Sequence, residues 1–474
     1  MQFKKYFTII LAFISLVAVG CNSGSSSNGS GGDNNSNGDL KFEKAAFSNP
    51  AYIDHRFFPL TKGKTLIYTS QTEGGLETII VEMLDQTRDV AGVTCAVVRD
   101  RVFLDEELIE DTHDWYAQDD AGNVWYMGEE VINYEYDDDG ELIETNNDGA
   151  WETGLDVAEI GYIAEAGPQV KATPTIGDSF HQEYYEGEAE DMALVEATDV
   201  TVTLADGTVY TGCLKTKEWN PLEEDSVEYK YYAPGIGMIK ETSEDGEEVV
   251  ELKGIFATGA QNLPDFASAT FTSPTLIDHR FFPQAVGTKR TYREETEDGT
   301  EVIVIEVLDE TREVDGIECL VIRDRVFLDD VIVEDTYDWF AQDDAGNVWY
   351  MGEEVVNYEY DEDGNLLETN IEGSWEAGVD DAQGGIQMWA DPAAGASYYQ
   401  EYYEEDAEDM AMIVATGVTV TLEDGTSYED CLQTLDWTPL EPTALEYKFY
   451  APDVGFIKEI HLGSDDPLEL EEIE

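Results

Sequence analysis

The chain has 474 residues, of which 25 are Lys or Arg and 105 are Asp or Glu, so its formal net charge is −80. Such a charge excludes nucleic-acid binding, which needs clustered basic side chains. The hydrophobic fraction of 42% is high enough for folded domains, and an acidic surface attracts cations, protons and basic partners.

The first predicted element is a signal peptide over residues 1–20. Lys4 and Lys5 precede an apolar run that is too short to span a membrane comfortably, and the run leads directly into Cys21. The stretch "AVGC" resembles a bacterial lipobox, which implies cleavage before Cys21 and attachment of lipid, such as palmitate, to this cysteine. The alternative is an ordinary secretory signal with an incidental cysteine.

Residues 21–45 are predicted to form a flexible tether, because they are rich in Gly, Ser and Asn and have little to bury. Asn22 resembles the residue that follows the cysteine in lipoproteins of the Gram-negative outer membrane. We therefore expect an outer-membrane lipoprotein that faces either the periplasm or the cell surface and contacts the membrane through its lipid.

The rest of the chain is an internal repeat. "IDHRFFP" occurs at Ile53 and at Ile277, and 31 of 38 positions are identical between residues 99–136 and 323–360. Each copy is domain-sized, so the chain is a tandem pair. The predicted domains are a first β-domain over 46–256, a linker over 257–270 and a second β-domain over 271–474.

Both copies are predicted to be all-β. Segments such as "ETIIVEML", "TCAVVRDRVFL" and "EYKYYAP" are rich in β-branched and aromatic residues, and glycine-containing turns separate them. Short connections between successive strands predict an antiparallel meander, either closed into a barrel or packed as two sheets.

The stretch "DWYAQDDAGNVWYMGEE", which begins at Asp114 and recurs almost unchanged at Asp338, is predicted to be a hairpin. Side chains alternate between its two faces, with Trp115 on one face and Tyr116 on the other. The main interpretation of these aromatic rings is core packing, and the alternative is a platform for carbohydrate or peptide.

Four cysteines remain in the folded part of the chain: Cys95 and Cys213 in the first copy, and Cys319 and Cys431 in the second. They allow three pairings, of which one bridge per copy is the simplest in an oxidising compartment. The alternative is buried free thiols.

Acidic turns are the clearest candidates for metal binding. They place carboxylates and amides beside a glycine, as calcium loops do, although none matches the full calcium-loop template. The candidate ligands for Ca²⁺ or Mg²⁺ are Asp119, Asp120, Asn123, Asp137, Asp139, Asp343, Asp344, Asn347, Asp361 and Asp363. The alternative is a polar hairpin turn.

The pattern "DWYAQDDAGNVWYMGE", "GSWEAGV", "QEYY…AEDMA" and "YAPGIG" resembles a group of uncharacterised bacterial secreted proteins and lipoproteins. The resemblance covers nearly all of both copies and implies an exported β-rich domain, with no activity attached. The second copy departs from it at "PQAVGTKRTY" (283–292) and the first at "GAWETGLDVAEIGYIAEAGP" (149–168).

Catalytic motifs do not stand out. The histidines that match between the copies are His55 and His279, and we interpret each as a loop histidine paired with its neighbouring Asp. The sequence therefore predicts a non-catalytic binding or structural role at the cell envelope, with cations or a basic or polymeric envelope component as partner. The alternative is an extracytoplasmic hydrolase, for example a carbohydrate-active one, that uses carboxylates.

Overall fold

The structure, a computed structural model, describes residues 40–474 except 73, 138–139, 159, 223–225, 297–298, 362–363 and 465. Cys21, the predicted signal and most of the tether therefore lie outside the described residues. The chain divides into two compact units between Gly254 and Ile255, so the last three residues of the strand Val249–Ala257 belong to the second unit. The prediction of two tandem all-β domains is confirmed.

In the first unit, a short 3-10 turn (Phe42–Lys44) precedes the strands. The strands are β1 (Ile53–His55), β2 (Phe58–Leu60), β3 (Lys64–Gln71), β4 (Leu76–Val90), β5 (Val93–Leu104), β6 (Glu107–Gln118), β7 (Val124–Tyr136), β8 (Leu142–Asn146), β9 (Trp151–Glu152), β10 (Glu165–Val170), β11 (Ser179–His181), β12 (Glu183–Tyr184), β13 (Met192–Thr203), β14 (Val209–Trp219), β15 (Glu228–Ala233), β16 (Gly237–Ser243) and β17 (Val249–Ala257).

In the second unit, two 3-10 turns (Ala260–Asn262 and Phe266–Ser268) come first. The strands are β18 (Ile277–His279), β19 (Phe282–Gln284), β20 (Lys289–Thr296), β21 (Gly299–Val314), β22 (Ile317–Leu328), β23 (Val331–Gln342), β24 (Val348–Tyr360), β25 (Leu366–Asn370), β26 (Trp375–Glu376), β27 (Gln383–Met388), β28 (Ser397–Tyr399), β29 (Glu401–Tyr402), β30 (Met410–Thr421), β31 (Ser427–Trp437), β32 (Leu445–Ala451), β33 (Gly455–His461) and β34 (Leu468–Ile473).

Each unit is built on one antiparallel meander that nearly closes into a barrel. In the second unit, β20 pairs with β21 on one side and with β34, the last strand, on the other. The short strands β28 and β29 are separated by Gln400 alone; β28 pairs with β30, and β29 pairs with β27. This short stretch therefore joins the two halves of the meander.

The repeated aromatic stretch forms the predicted hairpin in both units, as β6–β7 and as β23–β24. On the face that points into the first barrel, the rings of Tyr116 and Tyr126 stack with centroids 4.9 Å apart. On the opposite face, Trp115 and Trp125 join a separate hydrophobic cluster, which the ring of Phe42 covers. Alternation along the strand thus buries aromatic rings on both faces, and packing accounts for them.

Candidate binding site

The interior of the second barrel contains a cavity of about 330 Å³. Ten strands contribute to its wall, namely β19–β24, β27 and β32–β34, because inward positions of barrel strands converge. Seven of the lining residues are Phe, Ile or Leu, and the polar lining residues are Gln284, Arg290, Tyr292, Asp324, Asp338, Tyr350, Gln387, Lys448, Tyr450 and Glu459. A concave site of this size that combines apolar walls with polar groups is typical of small-molecule sites.

The corresponding interior of the first unit is more tightly filled. The repeat aligns Leu60 and Leu66 with Gln284 and Arg290, and the two leucines line a pocket of only about 10 Å³. Other interior side chains of the first unit are 0–3% exposed, while their counterparts in the second unit are only partly buried; the pairs are Ile79 and Ile303, Val81 and Ile305, Tyr126 and Tyr350, and Met238 and Phe456.

Arg290 distinguishes the cavity from the first interior. Its side chain is buried; its Nη1 donates to Oε1 of Gln284 at 3.1 Å, and its Nη2 donates to the carbonyl oxygen of Pro283 at 2.8 Å. Within the described part of the chain, its Nε has no hydrogen-bond partner and its guanidinium forms no ion pair. A buried cation that no carboxylate of the described residues compensates is energetically unfavourable.

Asp324 and Asp338 are carboxyl groups in the same wall. The Tyr350 hydroxyl donates to Oδ1 of Asp338 at 2.7 Å. Burial raises the pKa of Asp338 to about 7, although this hydrogen bond opposes the rise. Burial also raises the pKa of Asp324 well above its usual range, and the neighbouring Asp338 adds to this effect. The low-dielectric interior therefore favours the neutral form of both groups.

Lys448 is the second cation of the wall, and acids surround it. Its Nζ lies 3.0 Å from Glu446, 3.4 Å from Asp436 and 3.5 Å from Glu459. Burial lowers the pKa of Lys448, but the three carboxylates outweigh burial and raise it. His461 lies 3.0 Å from Glu459, and mainly this hydrogen bond raises the His461 pKa to about 9. These charges compensate one another within the wall.

Glu446, Glu459 and His461 also form a group with metal-binding geometry, since one donor atom from each lies within 4.8 Å of the others. The sequence did not single out these residues. A cation at this place would compete with the Lys448 ammonium, which already lies against both glutamates, and with the proton on His461.

The acidic turns that were predicted to bind cations lie between consecutive strands, and those of their residues that the structure describes do not line the cavity. Asp119 Oδ1 accepts the backbone N–H groups of Ala121 and Asn123, both at 2.9 Å. Its Oδ2 accepts the Asn123 amide at 2.8 Å and the Trp125 indole at 3.0 Å. Asp343 has the same four contacts. These carboxylates stabilise the turns, and cation binding by them stays a prediction.

The other described residues of these turns accept hydrogen bonds as well. The acceptor and donor pairs are Asp120 with Ser48, Asp344 with Thr272, Asn123 with Ala172, Asn347 with Ala390, Asp137 with Glu141, and Asp361 with Asn365. Asp139 and Asp363 lie outside the described residues.

The structure corrects the predicted disulfide bridges, because Cys95, Cys213, Cys319 and Cys431 are buried free thiols. Cys319 and Cys431 belong to different hydrophobic clusters. Their strands, β22 and β31, are separated by five others in the order of the sheet. The prediction was wrong because a disulfide bridge needs two Cβ atoms that lie close together. The matching positions of the cysteines in the two copies do not show on which side of a barrel each one lies.

The two matching histidines have a structural role. His55 Nδ1 accepts the backbone N–H of Phe57 at 3.2 Å, and Nε2 lies 3.2 Å from the carbonyl oxygen of Lys171. His279 has equivalent contacts with Phe281 and Trp389. Their hydrogen bonds thus go to the backbone, and not to the neighbouring Asp as predicted. Burial lowers the pKa of both rings.

Sequence reasoning assigned no role to Gln284 or Arg290, although both lie in the stretch where the second copy departs from the first. The available signal was the replacement of two leucines by polar residues within strands. Its meaning depends on which way the side chains point, and the alternation of a short strand alone does not show this.

No protein-family model and no curated protein sequence matches the chain. The resemblance to secreted bacterial proteins therefore stays a prediction. Over the described residues, the structure contains no helix with the length and apolar character needed to cross a membrane.

Proposed function

We propose that this protein is a lipid-anchored binding protein of the bacterial cell envelope, whose second unit takes up a small molecule inside its barrel. The cavity of about 330 Å³ is the observation that supports this function. It combines apolar walls for the body of a ligand with polar groups that orient it. The first unit, whose interior is more tightly filled, acts as a structural or spacing domain.

Thermal-shift screening of a small-molecule library against the mature chain tests ligand binding. Ile303 lines the cavity, so Ile303→Phe should fill part of it and abolish the shift that a ligand causes. The exposed Ile473 on β34 offers a matched control, and Ile473→Phe should leave ligand shifts unchanged. Ligands that stabilise both variants equally would bind elsewhere and would refute the proposed site.

The membrane part of the proposal depends on Cys21, which follows the lipobox-like "AVG". Replacement of Cys21 by Ser should release the protein from membranes, because a lipid chain is its attachment. Fractionation of cells that express either form measures this. A Cys21→Ser variant that still sediments with the outer membrane would refute the anchor.

A hydrolase is the second candidate, and one observation favours it. Burial raises the pKa of Asp338 to about 7, while Lys448, opposing burial, lowers the pKa of Glu459 below its usual range. One acid with a raised pKa and one with a lowered pKa in the same cavity could act as proton donor and proton acceptor, as in acid–base catalysis. Lys448 and His461 already form ion pairs with Glu459, so this carboxylate is not free to act on a substrate. We therefore favour a binding function over a hydrolase. If the protein hydrolyses a member of a glycoside panel and Asp338→Asn abolishes this activity, the hydrolase would be the correct function.

A further inference from the structure

Arg290 is a buried cation in the second unit, and a buried cation is stabilised by a nearby negative charge. Arg290 is 5% exposed and lines the cavity, yet within the described residues it has no carboxylate partner. The first unit has Leu66 at this position, so the fold does not need a cation there. A guanidinium that is buried without an anion destabilises the unliganded protein, and a ligand that carries an anion would relieve this destabilisation.

Gln284 supports the same interpretation. Its amide oxygen accepts from Arg290 Nη1 at 3.1 Å, which leaves the Gln284 amide nitrogen as a donor in the cavity wall. The first unit has Leu60 at this position. The two polar replacements thus bring hydrogen-bond donors into one part of the cavity, and planar guanidinium and amide groups are well suited to carboxylate.

The acidic groups of the cavity wall do not indicate that the cavity binds a cationic ligand. Asp324 and Asp338 have identical counterparts, Asp100 and Asp114, in the more tightly filled first interior, so they belong to the shared scaffold. Lys448 is already surrounded by carboxylates, as its counterpart Lys230 is in the first unit. Among the charged residues that line the cavity, Arg290 is the one whose counterpart in the first unit is uncharged. Outside the lining, the buried Glu294 and the partly buried His461 replace Ser70 and Ser243.

The rest of the wall limits the body of the ligand. The rings of Phe282, Phe340 and Phe456 line the cavity together with aliphatic side chains. Its volume of about 330 Å³ is at the lower end of the range for small-molecule sites. A short aryl or branched aliphatic group suits such a space, because apolar contact replaces ordered water.

We infer that the second unit binds a small aryl or branched-chain carboxylate, with the carboxylate against Arg290 and Gln284 and the apolar body against the phenylalanine rings. This inference rests on the proposed binding function and names the class of its ligand. Burial raises the pKa of the neighbouring Asp324 and Asp338, which reduces their repulsion of an anion. The Tyr350 hydroxyl already donates to Asp338.

Calorimetry of the mature chain with phenylacetate, phenylacetamide and phenethylamine tests the inference. We expect saturable binding of phenylacetate and at least tenfold weaker binding of the amide and the amine. Sodium chloride at about 0.5 M limits long-range repulsion of the anion by the acidic surface.

The variant Arg290→Leu introduces the residue of the first unit and should weaken phenylacetate binding at least tenfold. It should also melt at the same or a higher temperature than the unliganded wild type, so a loss of binding would not reflect unfolding. Arg293, on the same strand, is exposed and pairs with Glu471. Arg293→Leu removes the same formal charge and should leave binding unchanged.

Phenylacetate that binds Arg290→Leu as well as wild type, or fails to bind wild type, would overturn the inference. If the amine or amide binds instead and Ile303→Phe abolishes that binding, the carboxylate assignment falls while the binding function stands. If neither these probes nor any library compound responds to Ile303→Phe, both proposals fall.

Discussion

Glu77 shows what burial does to a carboxyl group in the first barrel. It lies on β4 with 1% exposure, and burial, assisted by Glu248 and Glu110, raises its pKa from 4.5 to about 8. The folded state therefore holds this proton more tightly than the unfolded state does. The resulting stability is complete below pH 4.5 and is lost as the pH rises through about 8.

We expect Glu77→Gln to flatten this dependence. At pH 9 the variant should be more stable than wild type, by up to about 5 kcal/mol at about 1.4 kcal/mol per pKa unit, because no buried charge forms. At pH 4 the two should be alike. Urea unfolding at both pH values measures the effect, and the exposed Glu106→Gln is the control. An equal effect of Glu77→Gln at both pH values would contradict the assigned cause.

Substitution of Asp119 tests whether its carboxylate stabilises the turn or binds a cation. Its carboxylate accepts four hydrogen bonds from its own hairpin. Asp119→Ala should lower the free energy of unfolding by about 2 kcal/mol or more, since buried donors lose a charged acceptor. The loss should be the same in calcium and in chelator. A loss confined to calcium-containing buffer would instead make Asp119 a metal ligand.

At the scale of elements, the hairpins β6–β7 and β23–β24 could be predicted because the relevant information is local. Alternating aromatic residues and a glycine turn define the two arms and their faces without knowledge of distant strands. The free state of the four cysteines and the presence of the cavity could not be predicted in this way. Arg290 on β20 meets Phe456 on β33 only after the barrel closes, and no local pattern shows whether the space between them is filled.

Gly128 lies at the register shift, a β-bulge, of the first hairpin. Its φ is +137°, and a Cβ atom would lie 2.5 Å from the Trp151 carbonyl oxygen and 2.8 Å from Glu152 Cα. Gly128→Ala should therefore destabilise the first unit by about 3 kcal/mol, through backbone strain and a steric clash.

Gly187 is the matched control for this prediction. Its φ is +81°, but a Cβ atom there would have no neighbour within 4 Å. Gly187→Ala should cost about 1 kcal/mol, from the left-handed conformation alone. Thermal denaturation of both variants gives the comparison, and equal losses would show that the approach of β9 to Gly128 does not matter.

At the scale of the whole molecule, the net charge of −80 opposes folding through mutual repulsion. Screening acts over about 30 Å at 0.01 M salt and over about 3 Å at 1 M. The melting temperature should therefore rise by several degrees between these concentrations, and sodium and potassium chloride should act alike. Calcium added at 1 M salt reports specific sites, because only saturable binding survives screening. A melting temperature that does not change with salt concentration would contradict the electrostatic interpretation.

The sequence predicted two all-β repeats but left barrel and two-sheet packing open. The choice depends on contacts between the ends of the meander. In the second unit these are the pairing of β20 with β34 and the short stretch of β28 and β29. The partners in these contacts come from strands that are weakly patterned or far apart in sequence, so composition and periodicity do not reveal them.

The short stretch of β28 and β29 has a consequence for exchange with solvent. It joins its neighbours through three and two paired residues, whereas β21 and β22 share eleven. Local opening is easiest where the fewest backbone hydrogen bonds must break. Amide protons of residues 397–402 should therefore exchange with deuterium well before those of β21 and β22. Because β27 pairs with β29 and contributes Gln387 to the cavity wall, an occupied cavity should slow this exchange.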